Sequence, residues 1–269
     1  MDMPFLPPRL SVELTARCNY ACPFCYGIWH EQPDLGGPEL STAEWGAILA
    51  NCARRGVRSV QFTGGEPLLR TDLDELCDLA LAVGLKVAVY TNASLLTKTR
   101  LLSFRRRRIR LSTTLQGLTT HAEMTGTGFG VQTTLEAIAL AKAVSWPMGV
   151  GIPVTRANAF EVAEIVSAAL RAGAATVQVG PAMWEGRMKT VPDAMLDVDA
   201  WMMVKTAVQA IPSKEDQVTF VNEFFCACRA QSAEAEVKWP SPPVACPAGR
   251  AFGALGITGH FRRCLHALS

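Results

Sequence analysis

The feature that most constrains the fold of this chain is a sixfold alternation of strand-like and helix-like segments. Short apolar or β-branched runs predict strands at residues 9–14, 59–63, 86–90, 109–114, 148–154 and 176–179. Helical periodicity between them predicts helices at residues 42–52, 73–82 and 160–172. Strands joined through helices pair in parallel with right-handed crossovers. Six such units in about 200 residues predict an α/β fold, either an incomplete (β/α) barrel or an open doubly wound sheet.

Boundary signals support individual elements. Ser41 and Glu44 have the spacing of a capping box at the start of the first helix, and Gly173 is placed to end the helix at residues 160–172. After Ile211 the alternation fades, although residues 217–221 suit one more strand. From about residue 222 the chain is poor in periodic runs and holds four cysteines, so we expect a metal to stabilise this part.

The composition excludes several classes of protein. Hydrophobic residues make up 49% of the 269 residues and charged residues 19%, which is typical of a folded chain and not of a disordered one. With 26 basic and 24 acidic residues, the net charge of +2 does not favour a nucleic-acid-binding protein. The sequence has no run of eighteen uncharged apolar residues and no apolar signal-peptide core. We therefore expect no membrane span and a cytoplasmic location.

Nine cysteines are distributed unevenly along the chain. An odd number without an export signal argues against a disulfide framework. Cys52 and Cys77 fall on predicted helices, where we expect buried, small apolar side chains. The others form two predicted metal-ligand sets, an early one and a late one: Cys18, Cys22 and Cys25, then Cys226, Cys228, Cys246 and Cys264.

The early set has the spacing C-x3-C-x2-C. Three thiolates are one short of the four that close an iron–sulfur or zinc site, which leaves either a distant fourth ligand or an open coordination position. These cysteines follow the first predicted strand, Gly64 and Glu66 follow the second, and Thr91 and Asn92 follow the third. Since the carboxyl ends of parallel strands share one edge, we expect these loops to form one site.

The early cysteines, with Phe24 before the last of them, resemble the signature of the radical S-adenosylmethionine (SAM) superfamily. Gly64-Gly65-Glu66-Pro67, after the second predicted strand, is similar to that family's second hallmark. The resemblance implies a [4Fe–4S] cluster held by three cysteines, with SAM on its open iron. It also implies a 5′-deoxyadenosyl radical that abstracts hydrogen from a substrate.

The same resemblance implies roles for the cofactor-binding residues. The turn formed by Gly64, Gly65, Glu66 and Pro67 would present backbone to the methionyl ammonium of SAM, with the glycines permitting close approach. Phe24 would lie against the adenine. Thr91 and Ser112, expected at the ends of the third and fourth strands, either bind SAM or are ordinary strand-end hydroxyls. No catalytic residue is assigned.

The tail resembles the opening of a SPASM or twitch domain, which holds auxiliary [4Fe–4S] clusters. Gly259 would sit in a hairpin turn that brings Cys264 back towards Cys246. With Cys226 and Cys228, these cysteines suffice for one auxiliary [4Fe–4S] cluster. Only five residues follow Cys264, which favours a short, twitch-like version. A zinc site, or a cluster that only one of Cys226 and Cys228 ligates, stays open.

The predicted organisation is a partial (β/α)6 TIM-like barrel at residues 1–215 and a small Cys-rich, metal-stabilised domain at residues 216–269. Residues 112–129 and 180–187 resemble stretches of peptide-modifying members of the family. The favoured function is therefore modification of a ribosomally synthesised peptide by a crosslink, a thioether or epimerisation. The alternative is a radical SAM dehydrogenase or epimerase acting on a small molecule such as an amino sugar. A third possibility is a non-catalytic metal-binding scaffold.

Several partners follow from this interpretation. The substrate is a precursor peptide or a small molecule, and a flavodoxin or ferredoxin would supply electrons. Only about eight residues precede the first strand, so leader recognition is expected from a separate protein or from the barrel itself. Trp184, Glu185 and Arg187 are placed within reach of substrate. The run at residues 105–108, with Arg110, is a solvated helix end or a dock for an acidic partner, such as an electron donor or a peptide.

Overall fold

The computed structural model describes residues 6–221 and 248–264. Its strands are β1 (Arg9–Thr15), β2 (Ser59–Gly64), β3 (Lys86–Tyr90), β4 (Arg110–Thr114), β5 (Gly149–Val154), β6 (Thr176–Pro181), β7 (Val218–Phe220), β8 (Gly253–Leu255) and β9 (Phe261–Arg262). Its α-helices are α1 (Thr42–Arg54), α2 (Leu73–Ala82), α3 (Lys98–Arg106), α4 (His121–Thr125), α5 (Val131–Ala143), α6 (Val162–Ala172) and α7 (Val198–Gln209). Cys226, Cys228 and Cys246 lie outside the described residues.

All described strands belong to one sheet, in the order β7-β6-β5-β4-β3-β2-β1-β8-β9. From β1 to β7, each strand pairs in parallel with the next one along the chain. The molecule is therefore an α/β protein with a parallel sheet, as predicted. Each of the six predicted strands is present within two residues of its predicted bounds, and β7 is the additional strand expected near residue 220.

The two faces of the sheet differ in character because side chains alternate along each strand. Leu10, Val12 and Leu14 of β1 are fully buried in one apolar core, together with Trp45 and Leu49 of α1. The alternate residues form a second, more polar face: Ser11, Glu13, Gln61, Thr63, Ser112 and Thr114. One face of the sheet is therefore apolar and packs against the helices, whereas the other face is polar and lies next to the loops of the site.

Helix ends follow the predicted signals. Ser41 Oγ accepts a hydrogen bond from the Glu44 amide at 3.3 Å, and the Glu44 carboxylate accepts one from the Ser41 amide at 2.8 Å, so the capping box is complete. Gly173, at φ 104°, ends α6. The start of α6 was predicted too early, because residues 159–161 form a 3₁₀ turn before the α-helix begins at Val162.

The described part of the tail is a hairpin that extends the main sheet. β9 pairs antiparallel with β8, and Gly259 occupies the turn between them at φ 80°, so the predicted hairpin is present. β8 in turn pairs in parallel with β1, Leu10 opposite Gly253. A buried ion pair joins Arg262 of β9 to Glu13 of β1. These two contacts attach the C-terminal hairpin to the first strand.

The two cysteines outside the predicted ligand sets are core residues. Cys52 in α1 is 3% exposed and Cys77 in α2 is fully buried, as predicted. Within the described ranges, no helix is both long enough and apolar enough to cross a lipid bilayer.

Candidate functional site

The early cysteines lie in the loop that follows β1 at the carboxyl edge of the sheet. We call residues 16–27 the cysteine loop. Cys18 is exposed, whereas Cys22 and Cys25 are partly buried. The Cys25 amide donates to the Cys22 carbonyl at 3.2 Å, which closes a tight turn between these two cysteines. The loops after β2, β3, β4 and β6 all contact the cysteine loop, as the following paragraphs show, so the predicted convergence at this edge occurs.

Two glycines let the cysteine loop pack directly against the end of β2. Gly64 has φ 120°, and a Cβ there would lie 2.4 Å from the Thr15 carbonyl oxygen. A Cβ on Gly65 would lie 2.1 Å from the Arg17 carbonyl oxygen. The Gly65 and Glu66 amides donate to these two carbonyls at 2.7 and 2.8 Å. The glycines are therefore needed for contact between two backbone segments, and the cofactor approach implied by the resemblance stays a prediction.

Glu66 is a fully buried carboxylate that joins the loops after β2 and β3. Its oxygens accept hydrogen bonds from the Leu68 amide at 2.9 Å, from Thr91 Oγ1 at 2.7 Å and from the Asn92 amide at 2.7 Å. Burial raises the pKa of Glu66, and these three donors oppose the increase. Pro67, also buried, begins the 3₁₀ turn that presents the Leu68 amide. Glu66 therefore positions backbone at the edge of the site.

A chain of amide hydrogen bonds connects Glu66 to the cysteine loop. Asn92 Nδ2 donates to Asn19 Oδ1 at 2.8 Å, and Asn19 Nδ2 donates to Ser94 Oγ at 2.8 Å. Ser94 Oγ donates back to Asn92 Oδ1 at 2.6 Å. Asn19 and Ser94 were missed at the level of sequence. The only local signal for Asn19 was its position directly after Cys18.

The other predicted SAM-binding residues have mixed positions. Thr91 directly follows β3, is 5% exposed, and uses its hydroxyl to donate to Glu66 and to accept from the Ala93 amide at 3.0 Å. Ser112 is not at the end of β4 as expected, because the strand continues to Thr114. Its Oγ donates to the Gly149 carbonyl at 3.4 Å. Phe24 is partly buried in the cysteine loop.

The loop after β6 holds the end of the cysteine loop. Gly186, at φ 59°, approaches so closely that a Cβ would lie 2.3 Å from the Cys25 carbonyl oxygen. The Arg187 amide donates to the same oxygen at 2.9 Å. Lys189 Nζ bridges the Glu31 and Glu185 carboxylates at 2.6 and 2.9 Å. These contacts place the loop beside Cys25.

The segment after β4 also contacts the cysteine loop. The Ala21 amide donates to the Thr125 carbonyl at 2.9 Å, and Gly126, at φ 59°, packs against the Ala21 carbonyl. The rings of Tyr20 and Phe129 lie 5.9 Å apart between centroids. The cysteine loop is thus contacted by two segments that are distant from it in sequence.

Burial makes the Cys22 and Cys25 thiols poor acids in the absence of a metal. It raises the pKa of Cys22 to about 12, and negative charge on Cys25 and Cys18 adds to the increase. Burial likewise raises the pKa of Cys25, and the nearby Arg187 guanidinium opposes this increase. Three soft sulfur donors close enough to repel one another's charge suit an iron–sulfur cluster. In the described ranges, no three Cys, His, Asp or Glu side chains surround a single-ion site.

Cys264, from the late set, lies at the other edge of the sheet. It lines a cavity of about 230 Å³ together with Arg9, Ser11 and Gln61. Arg9 begins β1, whereas the cysteine loop follows the end of β1. Cys264 and the cysteine loop are therefore at opposite ends of the first strand.

Comparison with known families matches residues 12–169 to the family described as "Radical SAM superfamily". The match covers more than half of the chain and includes the cysteine loop and the segment Gly64–Pro67.

Two curated relatives match parts of the chain. The chain is 33% identical over 189 residues to a PqqA peptide cyclase from Gluconobacter oxydans, covering 69% of this chain and 52% of that protein. It is 47% identical over 87 residues to a probable GTP 3',8-cyclase from Methanopyrus kandleri, covering 32% of this chain and 27% of that protein. The chain thus spans about half or less of the length of these relatives.

Among solved structures, the chain resembles Streptococcus suis SuiB bound to the precursor peptide SuiA. The TM-score is 0.75 at 17% identity, over 97% of this chain and 60% of the SuiB chain. At this identity the similarity concerns the fold alone. It extends over nearly the whole chain.

Proposed function

The chain belongs to the radical SAM superfamily, and from this premise we propose that it modifies a peptide by radical chemistry. The observation that carries the proposal is that the Glu66–Asn92–Asn19 hydrogen bonds connect the cysteine loop to the hallmark turn at Gly64–Pro67. Membership of the family implies a [4Fe–4S] cluster and SAM. The sulfur-only donor set of the loop fits that cluster.

The residues of the chain have distinct parts in the proposed reaction. Cys18, Cys22 and Cys25 would hold the cluster. When bound, the cluster and SAM supply a 5′-deoxyadenosyl radical that abstracts a hydrogen atom from the substrate. The Gly65 and Glu66 amides are already bonded within the protein, so the Gly64–Pro67 turn would offer the SAM ammonium its carbonyl oxygens.

The remaining cofactor residues act around that turn. Thr91 would position Glu66, because both hydrogen-bonding functions of its hydroxyl are used within the protein. Ser112 and Phe24 would contact SAM directly. The segments after β4 and β6, which contact the cysteine loop, would exclude water from the reacting carbon.

A peptide is the favoured substrate because the similar proteins include a PqqA peptide cyclase and a SuiB structure with a bound precursor peptide. The GTP 3',8-cyclase relative favours a second candidate, a small-molecule substrate, over the 87 residues that it matches. Those residues amount to 32% of the chain, whereas the peptide cyclase matches 69%.

We extend the proposal to the tail and to the partners. Cys226, Cys228, Cys246 and Cys264 would hold one auxiliary [4Fe–4S] cluster in a twitch-like domain at residues 216–269. Residues 1–215 would form a partial (β/α)6 barrel. The odd number of cysteines supports a reducing compartment, the cytoplasm. A separate leader-recognition protein and a flavodoxin or ferredoxin would complete the system.

The test is SAM cleavage by the anaerobically reconstituted full chain with dithionite as reductant. We expect the wild type to form 5′-deoxyadenosine and Cys22→Ala to form none, because the cluster loses one of its three ligands. Cys52→Ala is the matched control, since it removes a buried cysteine of α1 that does not belong to the site. Continued deoxyadenosine formation by Cys22→Ala would refute the proposal.

The substrate class is tested in the same assay. A short precursor peptide encoded beside the gene should raise deoxyadenosine formation and change its own mass. Stimulation by nucleotides or amino sugars alone would favour the small-molecule candidate.

A further inference from the structure

Basic side chains collect at the amino edge of the sheet, opposite the cysteine loop. Arg9, Lys86 and Arg110 begin β1, β3 and β4, and Arg58 directly precedes β2. Three further arginines lie at the end of α3 and in the turn to β4. We call the whole set the basic edge: Arg9, Arg58, Lys86, Arg105, Arg106, Arg108 and Arg110, all of them exposed.

The backbone places these residues side by side. The Arg58 amide donates to the Pro8 carbonyl at 2.8 Å, and the Lys86 amide donates to the Arg58 carbonyl at 3.0 Å. Consecutive strands lie about 4.8 Å apart, so the cationic groups form a continuous row across the first four strands.

Among the residues that the structure describes, no carboxylate forms an ion pair with the basic edge. The segments that lead into the first four strands, residues 6–9, 55–58, 83–86 and 105–110, contain no Asp or Glu. In the described part of the chain, none of the seven residues has an ion pair. Arg107 differs, because it turns towards α2 and pairs with Asp78 at 2.7 Å. With a net charge of only +2 on the whole chain, this concentration is local.

The basic edge adjoins Cys264. Arg9 and Cys264 line the same cavity, and the antiparallel β9 runs back towards the start of β1. β1 has seven residues, which at about 3.3 Å each put the basic edge on the order of 20 Å from the cysteine loop. A group docked at this edge is therefore beside the late cysteine and far from the SAM site.

We propose that the basic edge docks a small acidic electron-transfer protein, which delivers electrons at the end of the sheet that carries Cys264. This inference rests on the proposed function, because a donor is needed only if the chain holds iron–sulfur clusters. One electron would leave the reduced donor and pass to the iron–sulfur clusters that the cysteines of the chain would hold, and no bond would form or break. A peptide substrate suits this edge less well, because hydrogen abstraction needs contact at the SAM site.

Charge reversal tests the proposal. The edge variant is Arg105→Glu/Arg106→Glu/Arg108→Glu. The matched control, Lys98→Glu/Arg171→Glu/Lys214→Glu, makes the same change in net charge at exposed positions outside the basic edge. Each reconstituted full chain is assayed for deoxyadenosine formation twice, once with an acidic flavodoxin kept reduced by its reductase and once with dithionite.

We expect the flavodoxin-driven rate of the edge variant to fall about tenfold or more, because a cationic surface speeds association with an anionic partner. The dithionite-driven rates should be equal in all three proteins, since dithionite needs no docking surface. Equal flavodoxin-driven rates in the edge and control variants would overturn the proposal. So would an edge variant that loses affinity only for an acidic leader peptide or for nucleic acid.

Failure of the proposed function gives a different result. If the wild type cleaves no SAM with dithionite, the proposed function fails. The docking proposal is then tested by the affinity of the chain for flavodoxin. Measured by calorimetry at low and high salt, that affinity should be weaker in the edge variant and should fall with added salt. Equal affinities in the edge and control variants would overturn the docking proposal independently.

Discussion

At the residue scale, the carboxylate of Glu161 holds the loop between β4 and α4. Three consecutive residues donate to it: the Leu118 amide at 3.0 Å, the Thr119 amide and hydroxyl at 2.9 and 2.7 Å, and the Thr120 amide at 3.2 Å. Burial alone would raise the pKa of Glu161, but these hydrogen bonds outweigh it and lower the pKa to about 2. The ionised form is therefore the one that stabilises the fold.

We predict that Glu161→Gln destabilises the protein by about 2–3 kcal/mol at pH 7, because each pKa unit between the folded and unfolded states is worth about 1.4 kcal/mol. A carboxylate whose pKa is lowered in the folded state stabilises the protein at pH values above its pKa in the unfolded state. This stabilisation is lost as the pH falls towards 2. The difference in unfolding free energy between the two proteins should thus shrink below about pH 4.5. Denaturant titrations at several pH values measure it. A difference independent of pH would contradict the assigned charge.

Individual residues also show where prediction from sequence stops. Cys18, Cys22, Cys25 and Glu66 could be predicted as site residues because their motifs are local in the sequence. Asn19, Asn92 and Ser94 form their network only after two loops meet. Glu161 lies 41 or more residues from the threonines and leucine it binds, so no pattern along the chain could have indicated it.

At the scale of elements, the positions of the strands could be predicted, but the pairing between strands could be predicted only in part. β1 to β6 have alternating or continuous apolar runs, which are local signals. Parallel order followed from the intervening helices. Sequence gave no indication that β8 would pair with β1, because this contact joins residues more than 240 positions apart. Bounds were not predicted for α3, α4, α5 and α7, whose apolar faces are short or weakly periodic.

The contact between β9 and β1 has its own energetic consequence. Glu13 and Arg262 are each 1% exposed, and burial raises the pKa of Glu13 to about 7 despite the opposing charge of Arg262. Removing one partner of such a pair leaves a buried charge, whereas removing both costs much less.

We therefore predict that Arg262→Met lowers the unfolding free energy by about 3–5 kcal/mol at pH 8, where the unpaired Glu13 would have to ionise or hold a proton. The double variant Glu13→Gln/Arg262→Met should recover most of this loss. A group whose pKa is raised in the folded state stabilises the protein at low pH, and this stabilisation is lost as the pH rises through the folded-state pKa. Arg262→Met should therefore lower the unfolding free energy less at pH 5 than at pH 8. A double-mutant cycle by denaturant unfolding measures the coupling. Additive losses would show that the pair does not attach the hairpin.

At the scale of the whole molecule, different functional groups lie at the two ends of β1. Its carboxyl end leads into the cysteine loop, and its amino end shares a cavity with Cys264 and the basic edge. The Arg262–Glu13 pair, which joins β9 to β1, lies between them. We predict two metal sites that load independently, because Cys264 is about a strand length from the cysteine loop.

Iron content decides this point. In a variant with Cys18, Cys22 and Cys25 all changed to Ala, we expect about four irons per chain after anaerobic reconstitution, because the late set has four cysteines. Cys264→Ala is the complementary variant, in which iron should remain at the cysteine loop along with the spectral change caused by SAM. Far-UV circular dichroism checks that both variants fold. Almost no iron in a folded triple variant would mean that the tail holds zinc or no metal, and electrons delivered at the basic edge would then have no cluster to enter there.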